Sequence, residues 1–133
     1  MGLDWGTKRI GIAISDRDAS IAHGRSTYLR TNKESDISYI KNFVLESEAK
    51  EVVIGLPLDM EGTEGMQAKK ARAFKEELEK EIDIPVKEVD ERLTSKEAER
   101  VLIEADVGRD ERNRVRDRLA AVLILQRYLD RLN

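Results

Sequence analysis

The chain has 133 residues, of which 38% are charged and 40% are hydrophobic, and its formal net charge is −3. This length suits one domain with its own core, and the net charge excludes a uniformly basic nucleic-acid binder while leaving room for local basic patches. The absence of cysteine and the single histidine, His23, exclude disulfides, a thiolate nucleophile and a zinc site built from several histidines.

The first two predicted elements are β-strands joined by a tight turn. Residues 1–16 read MGLDWGTKRIGIAISD, two apolar runs separated by a turn that contains glycine, which is typical of a β-hairpin. Asp4 lies at the end of the first run. A carboxylate there is either paired or bound to a metal ion, since burying it alone is costly, or it caps its own turn through the amides of Gly6 or Thr7. The hairpin alone leaves both interpretations open.

Strand and helix signals alternate in the middle of the chain. A loosely alternating run predicts a third strand over residues 21–30, and apolar residues at helical spacing predict a helix over residues 33–50. Asn32 or Ser35 is the expected cap of that helix. Residues 51–55 form a short β-branched run, which is typical of a strand buried on both faces.

The second half of the chain is predicted to be mainly helical. A loop with proline and glycine follows the buried strand, at the end of the sheet where open α/β folds place ligands. Three helices and one strand complete the prediction: a helix capped by Thr63 and ending near Ile82, a strand over 85–89, a helix from Thr94 or Ser95 to Gly108, and a last helix over 112–132 with an apolar section at 119–125.

Taken in order, these elements predict an α/β fold of the ribonuclease H-like kind, a mixed five-stranded sheet flanked by helices. No repeat or linker divides the sequence, so residues 1–133 are expected to form a single domain of this ribonuclease H-like kind. The first residues already belong to a strand and no apolar run approaches the length of a membrane span, so we expect no signal peptide and a cytoplasmic protein.

Three acids lie where such a fold brings chain segments together. They are Asp4 on the first strand, Glu91 just after the last strand, and Asp117 on the final helix. Converging carboxylates repel one another unless cations are present, and Mg²⁺ prefers oxygen ligands. Two such ions can activate a water and stabilise the leaving oxygen of a phosphodiester.

Asp117 carries the most information of the three. Ala120 and Ala121 follow it by one turn, and such small residues let a helix approach a sheet closely, which would bring Asp117 near the first strand. The alternative is an exposed acid paired with Arg114 or Arg118, an arrangement of little energetic value. The spacing of the residues does not decide between them.

Four stretches of the sequence together resemble the YqgF/RuvX family. They are GLDWGTKRIG at 2–11, VIGLPL at 53–58, DERLT at 90–94 and DRLAAVLILQ at 117–126. The resemblance covers essentially the whole chain in order. The family comprises bacterial RuvC-like proteins of ribonuclease H-like fold, which carry the names pre-16S rRNA nuclease and Holliday junction resolvase.

The resemblance implies a function and a set of site residues. Asp4, Glu91 and Asp117 would be the catalytic and metal-binding acids, with Mg²⁺ or Mn²⁺ as the cofactor. By the same resemblance, Lys8, Arg9 and Arg92 would contact substrate phosphates. The charge pattern of the arginine-rich segment 109–118 adds Arg114 and Arg116 to these expected phosphate contacts. The expected activity is hydrolysis of phosphodiester bonds, in 5′-end processing of precursor 16S ribosomal RNA. The alternatives are a resolvase of four-way DNA junctions and a non-catalytic nucleic-acid-binding module.

The sequence departs from the RuvC-type resolvases in two places. Those enzymes carry an acid at the end of the central strand, where this chain has Leu56 and Pro57. They also carry two acids one turn apart on the last helix, where only Asp117 is present, so Glu91 would have to supply the missing charge. We therefore expect structured RNA as the substrate. A monomer or weak homodimer is expected, because the exposed helix surfaces are rich in Lys and Glu.

Overall fold

A five-stranded sheet with helices on both faces organises the described part of the chain. The computed structural model describes residues 1–56, 65–90 and 109–132. The elements in chain order are β1 (Gly2–Trp5), β2 (Arg9–Ser15), β3 (Ala22–Leu29), α1 (Lys33–Ser47), β4 (Val52–Leu56), α2 (Met66–Glu81), β5 (Val86–Asp90) and α3 (Arg109–Leu132). The strand order is β3-β2-β1-β4-β5, with antiparallel pairs from β1 to β3 and parallel pairs among β1, β4 and β5. The predicted ribonuclease H-like architecture is thereby confirmed.

Residues at the two ends of α1 determine where this helix begins and ends. The side chain of Asn32 accepts a hydrogen bond from the Ser35 amide at 2.9 Å, so Asn32 is the cap. The helix ends at Ser47, earlier than predicted, because Glu48 adopts a left-handed conformation with φ of 57°. That conformation stops the hydrogen-bonding pattern of a helix.

Other predicted boundaries fall near the observed ones or outside the described residues. The last helix begins at Arg109, three residues earlier than predicted. The helix α2 begins at Met66 with Gly65 as its N-cap, so the prediction of Thr63 as the cap is wrong. The predicted helix that starts at Thr94 or Ser95 and ends at Gly108 lies outside the described residues. In the three stretches that are described, no helix has both the length and the apolarity that crossing a membrane would need.

Two hydrophobic cores lie on opposite faces of the sheet. The larger one packs α1 and α2 against alternate residues of the strands, and all five residues of β4 are buried, as predicted. The smaller one packs α3 against the other face. Of the apolar section of α3, only Ala120, Ala121, Ile124 and Leu125 are buried. The prediction of burial all round is therefore too broad, because the helix contacts the sheet along one side.

A buried carboxylate joins the start of α1 to the turn between β1 and β2. Asp36 is fully buried and accepts hydrogen bonds from Arg30 Nε at 2.9 Å and from the Thr31 amide at 3.0 Å. The Arg30 guanidinium lies 4.6 Å from the centre of the Trp5 ring and donates to the carbonyl of Gly6 at 3.1 Å. A charge buried in this way is costly to leave unpaired. The network therefore fixes the turn that follows β1.

A second charged cluster joins α2 to the edge strand β5. Glu88 accepts two hydrogen bonds from Arg72, at 3.0 and 3.1 Å, and lies 3.2 Å from Lys75 Nζ. The bonds from Arg72 lower the pKa of Glu88 below its usual value of 4.5, burial opposes them, and Lys75 adds to the lowering. A carboxylate with a lowered pKa stabilises the fold at neutral pH, and this contribution is lost as the pH falls below 4.5.

We expect Glu88→Gln to lower the free energy of unfolding at neutral pH by about 0.5–1 kcal/mol, the range of exposed ion pairs. The deficit relative to wild type should shrink as the pH falls below 4.5 and the Glu88 carboxyl becomes protonated. Urea denaturation at neutral pH and at acidic pH measures this difference. Glu76→Gln, an exposed position on α2, is the control. A deficit of the same size at both pH values would show that Glu88 acts through packing instead.

Candidate functional site

Asp4 lies at the carboxyl end of β1, on the face of the sheet that α3 covers. Its neighbours Leu3 and Trp5 point into the core formed with α1 and α2. Because successive side chains of a strand point to opposite faces, Gly2 and Asp4 face α3. A Cβ atom placed on Gly2 would indeed lie 2.7 Å from Leu125 Cβ. Asp4 itself is half-buried.

The turn after Asp4 is closed by the backbone. The amide of Gly6 donates to the carbonyl of Arg9 at 2.9 Å. The Gly6 amide is therefore committed to the hairpin, which weakens the interpretation of Asp4 as a cap of that amide. Arg9 begins β2, and its side chain reaches back across the face that α3 covers.

Gly11 lies next to both Asp4 and the backbone of Asp117. It lies directly opposite Asp4 in the β1–β2 pairing, so the two residues face the same side of the sheet. A Cβ atom on Gly11 would overlap the backbone carbonyl of Asp117 and lie 3.1 Å from the amide nitrogen of Arg118. The backbone of α3 therefore lies against β2 in the space that a side chain at position 11 would otherwise occupy. The backbone of Asp117 consequently lies on the same face of the sheet as Asp4, one strand away from it.

The carboxylate of Asp117 is buried and ion-paired. The residue is 7% exposed, and its Oδ2 atom lies 2.5 Å from Arg9 Nε. Arg116 Nη2 approaches the other oxygen at 3.7 Å. The partners weighed from the sequence, Arg114 and Arg118, do not form this ion pair. The surface-exposed interpretation of Asp117 is wrong, because contact with the sheet buries it and the partner comes from β2.

The third predicted acid, Glu91, and the predicted phosphate-binding Arg92 lie outside the described residues. Glu91 directly follows Asp90, the last residue of β5. Since β1, β4 and β5 run parallel, their carboxyl ends share one edge of the sheet.

The donor chemistry of the two described acids suits a hard divalent cation. Carboxylate oxygens are the ligands that Mg²⁺ and Mn²⁺ take in proteins, alongside water and substrate phosphate. Within residues 1–56, 65–90 and 109–132, no group of three acidic, histidine or cysteine side chains is arranged to hold a metal ion. Two acids plus water and phosphate fit the usual coordination of Mg²⁺, and a third acid would have to come from outside these ranges.

The predicted phosphate-binding residues differ in their surroundings. Lys8 and Arg114 are exposed, whereas Arg9 and Arg116 are half-buried. Arg9 contacts Asp117 directly, so its guanidinium lies at the candidate site itself. Arg116 also lies close to the Asp117 carboxylate. The structure thus brings two of the four described basic residues to the buried acid.

Three residues that shape the site were not predicted to have a role in it. Gly2 and Gly11 were not singled out, although both set the approach of α3 to the sheet. Gln126 was quoted only within a motif, yet it accepts from the Ala22 amide at 2.9 Å and donates to the Ser20 carbonyl at 2.8 Å. The available signal was the set of small residues on one face of the hairpin, opposite Ala121 of the last helix.

The sequence is similar to one protein family and to individual bacterial proteins along almost its whole length. Residues 1–131 match the family described as "RuvX: Holliday junction resolvase". A protein of Halothermothrix orenii is 47% identical over 133 residues, which is 100% of this chain and 95% of that protein. One of Thermoanaerobacter pseudethanolicus is 50% identical over 131 residues (98% and 94%), and one of Listeria monocytogenes is 47% identical over 135 residues (100% and 98%). All three are named "Putative pre-16S rRNA nuclease".

Proposed function

The chain belongs to the RuvX family of Holliday junction resolvase-like proteins, and from this premise we propose that it is a divalent-metal-dependent endonuclease that trims the 5′ end of precursor 16S ribosomal RNA. The observation that supports the proposal is the packing of the Asp117 backbone against Gly11, the residue directly opposite Asp4. The names of the relatives support the choice of RNA as the substrate.

In the proposed site the acidic side chains bind the metal ions and most of the basic side chains contact the substrate. Asp4, Asp117 and Glu91 would hold Mg²⁺ or Mn²⁺, which supplies activation of a water and stabilisation of the leaving oxygen. Arg9 holds the Asp117 carboxylate at 2.5 Å, which keeps that side chain in one orientation at the site. Lys8, Arg92, Arg114 and Arg116 would contact the phosphates that flank the scissile bond.

The substrate can be tested by offering RNA and DNA side by side. The RNA is a transcript of 16S ribosomal RNA with its 5′ extension, and the DNA is a synthetic four-way junction. With Mg²⁺ or Mn²⁺ present, we expect cleavage at the 5′ end of the transcript and no paired nicks in the junction. Chelation by EDTA should stop the reaction, because carboxylates alone do not activate water for this hydrolysis.

The alternatives predict different outcomes of the same experiment. Two symmetric nicks in the junction would establish the resolvase function that the family description favours. Since such a reaction needs two active sites related by symmetry, the protein would then sediment as a stable dimer, contrary to the expected monomer or weak homodimer. Binding of either nucleic acid without metal-dependent cleavage would leave a non-catalytic binding module.

A further inference from the structure

An arginine-lined groove lies between the edge strand β3 and the first turns of α3. Its volume is about 430 Å³, and it is lined by Arg25, Ser26, Thr27, Glu111, Arg114, Val115 and Arg118. Three guanidinium groups thus face one carboxylate, which gives the groove an excess of positive charge. Among the residues that the structure describes, Arg25, Arg114 and Arg118 have no ion-pair partner.

A β-bulge places Arg25 in this groove. In the β2–β3 pairing Ile12 lies opposite Ser26 and Ala13 lies opposite Gly24, so Arg25 is the extra residue. Strict alternation along the strand would put residues 24 and 27 on opposite faces, yet both contact α3. A Cβ atom on Gly24 would lie 3.5 Å from Arg118 Cβ, and Thr27 Oγ1 donates to the carbonyl of Arg114 at 2.6 Å. Bulges re-aim side chains beside functional sites.

The groove lies near the candidate acids, both across the strands of the sheet and along α3. Thr27 lies opposite Gly11, and Gly11 lies opposite Asp4. Two strand spacings separate the ends of this row, about 10 Å, or about three nucleotides of a stacked strand. On α3, Arg114 lies one turn before Asp117. A nucleic-acid strand that runs from the acids along this row of residues would therefore pass the groove.

We propose that this groove is a phosphate-binding subsite for the nucleic-acid strand flanking the scissile bond, with Arg25 and Arg118 as its main ligands. Guanidinium groups match phosphate oxygens in charge and in bidentate geometry. The hydroxyl of Thr27 is committed to the helix backbone and holds the two walls together. The proposal rests on the proposed nuclease function, and it adds a specified path for the substrate.

The test measures binding separately from cleavage. A fluorescein-labelled single-stranded RNA of about 20 nucleotides is titrated in EDTA, and the anisotropy gives the affinity at several KCl concentrations. The double variant Arg25→Gln with Arg118→Gln should bind about tenfold more weakly or worse. Its slope of log K against log salt should be smaller by about 1.4, because each phosphate contact to a single strand contributes about 0.7.

Further variants test whether the loss of binding is specific to the groove. The double variant Arg17→Gln with Arg131→Gln removes the same charge at exposed positions outside the groove, and it should keep most of the wild-type affinity. The single variant Arg25→Gln, on the exposed edge strand, should lower the slope by about 0.7. The variant Glu111→Gln should tighten binding, because it removes the negative charge from the groove.

The outcomes separate this proposal from the proposed function. Equal affinity and slope in the groove variants and the Arg17/Arg131 control would overturn the subsite, even if the wild type cleaves RNA. Conversely, failure of the wild type to cleave RNA or junctions, with the groove variants still impaired in binding, would overturn the nuclease function and leave the subsite standing. Circular dichroism of each variant establishes that binding is compared between folded proteins.

Discussion

Replacing Asp4 by Asn is expected to lower the rate of RNA cleavage by about 10²–10³-fold, the loss seen when one charge-stabilising group is removed from an active site. The amide keeps the size of the side chain at a half-buried position, so the fold should persist. What disappears is one of the two carboxylates of the proposed metal site, both of which belong to residues on the α3 face of the sheet. Initial rates on the 5′-extended transcript, with saturating Mg²⁺, measure the effect.

Two further variants show whether the loss is specific. Asp18→Asn, at an exposed position beyond the far end of β2, should cleave at the wild-type rate. Asp117→Asn should lose activity and also stability, because it leaves the Arg9 guanidinium without its carboxylate partner. Wild-type rates in Asp4→Asn would show that the candidate site is wrong.

Gly11→Ala is expected to lower the free energy of unfolding by about 3 kcal/mol, at the upper end of the range for overpacking. An alanine in a strand ordinarily stabilises relative to glycine. Here the added Cβ atom would overlap the carbonyl of Asp117, and a helix backbone cannot rotate away as a side chain can. The helix must move off the sheet, so activity should fall together with stability.

Gly24→Ala is the matched control for this change. Its Cβ atom would lie 3.5 Å from Arg118 Cβ and 3.5 Å from Val122 Cγ2, ordinary contact distances. Both variants add one methyl group to the same face of the sheet beneath the same helix. Urea denaturation of the two should separate them clearly. If Gly11→Ala proves as stable as Gly24→Ala, the close approach of α3 does not set the position of Asp117.

Local signals in the sequence predicted the elements of the fold well. The hairpin follows from two apolar runs around Gly6 and Thr7, and the buried β4 follows from its β-branched run. Asn32 was one of two predicted caps, and the structure selects it because its side chain reaches the Ser35 amide. These features depend on neighbours in the chain, so the sequence around each position is sufficient to indicate them.

Contacts between distant segments could not be predicted in the same way. The Arg9–Asp117 ion pair joins residues 108 positions apart, and the bulge at Arg25 depends on how β3 meets β2 and α3. Hydrophobic periodicity does not encode either contact. The small residues Ala120 and Ala121 did indicate a close helix. The sheet supplies the other half of that contact through Gly2 and Gly11, which a hairpin prediction explains as ordinary strand residues.

The position of Trp5 makes it an intrinsic fluorescent probe of the candidate site. It is the single tryptophan of the chain, it directly follows Asp4, and its ring is buried. The Arg30 guanidinium lies 4.6 Å from the centre of that ring, and the centre of the Phe74 ring lies 6.2 Å from it. Within the described residues its indole nitrogen has no hydrogen-bond partner. Emission excited at the red edge therefore comes from one residue beside the candidate site. Ion binding and the loosening of the hairpin can both be followed by fluorescence without an attached dye.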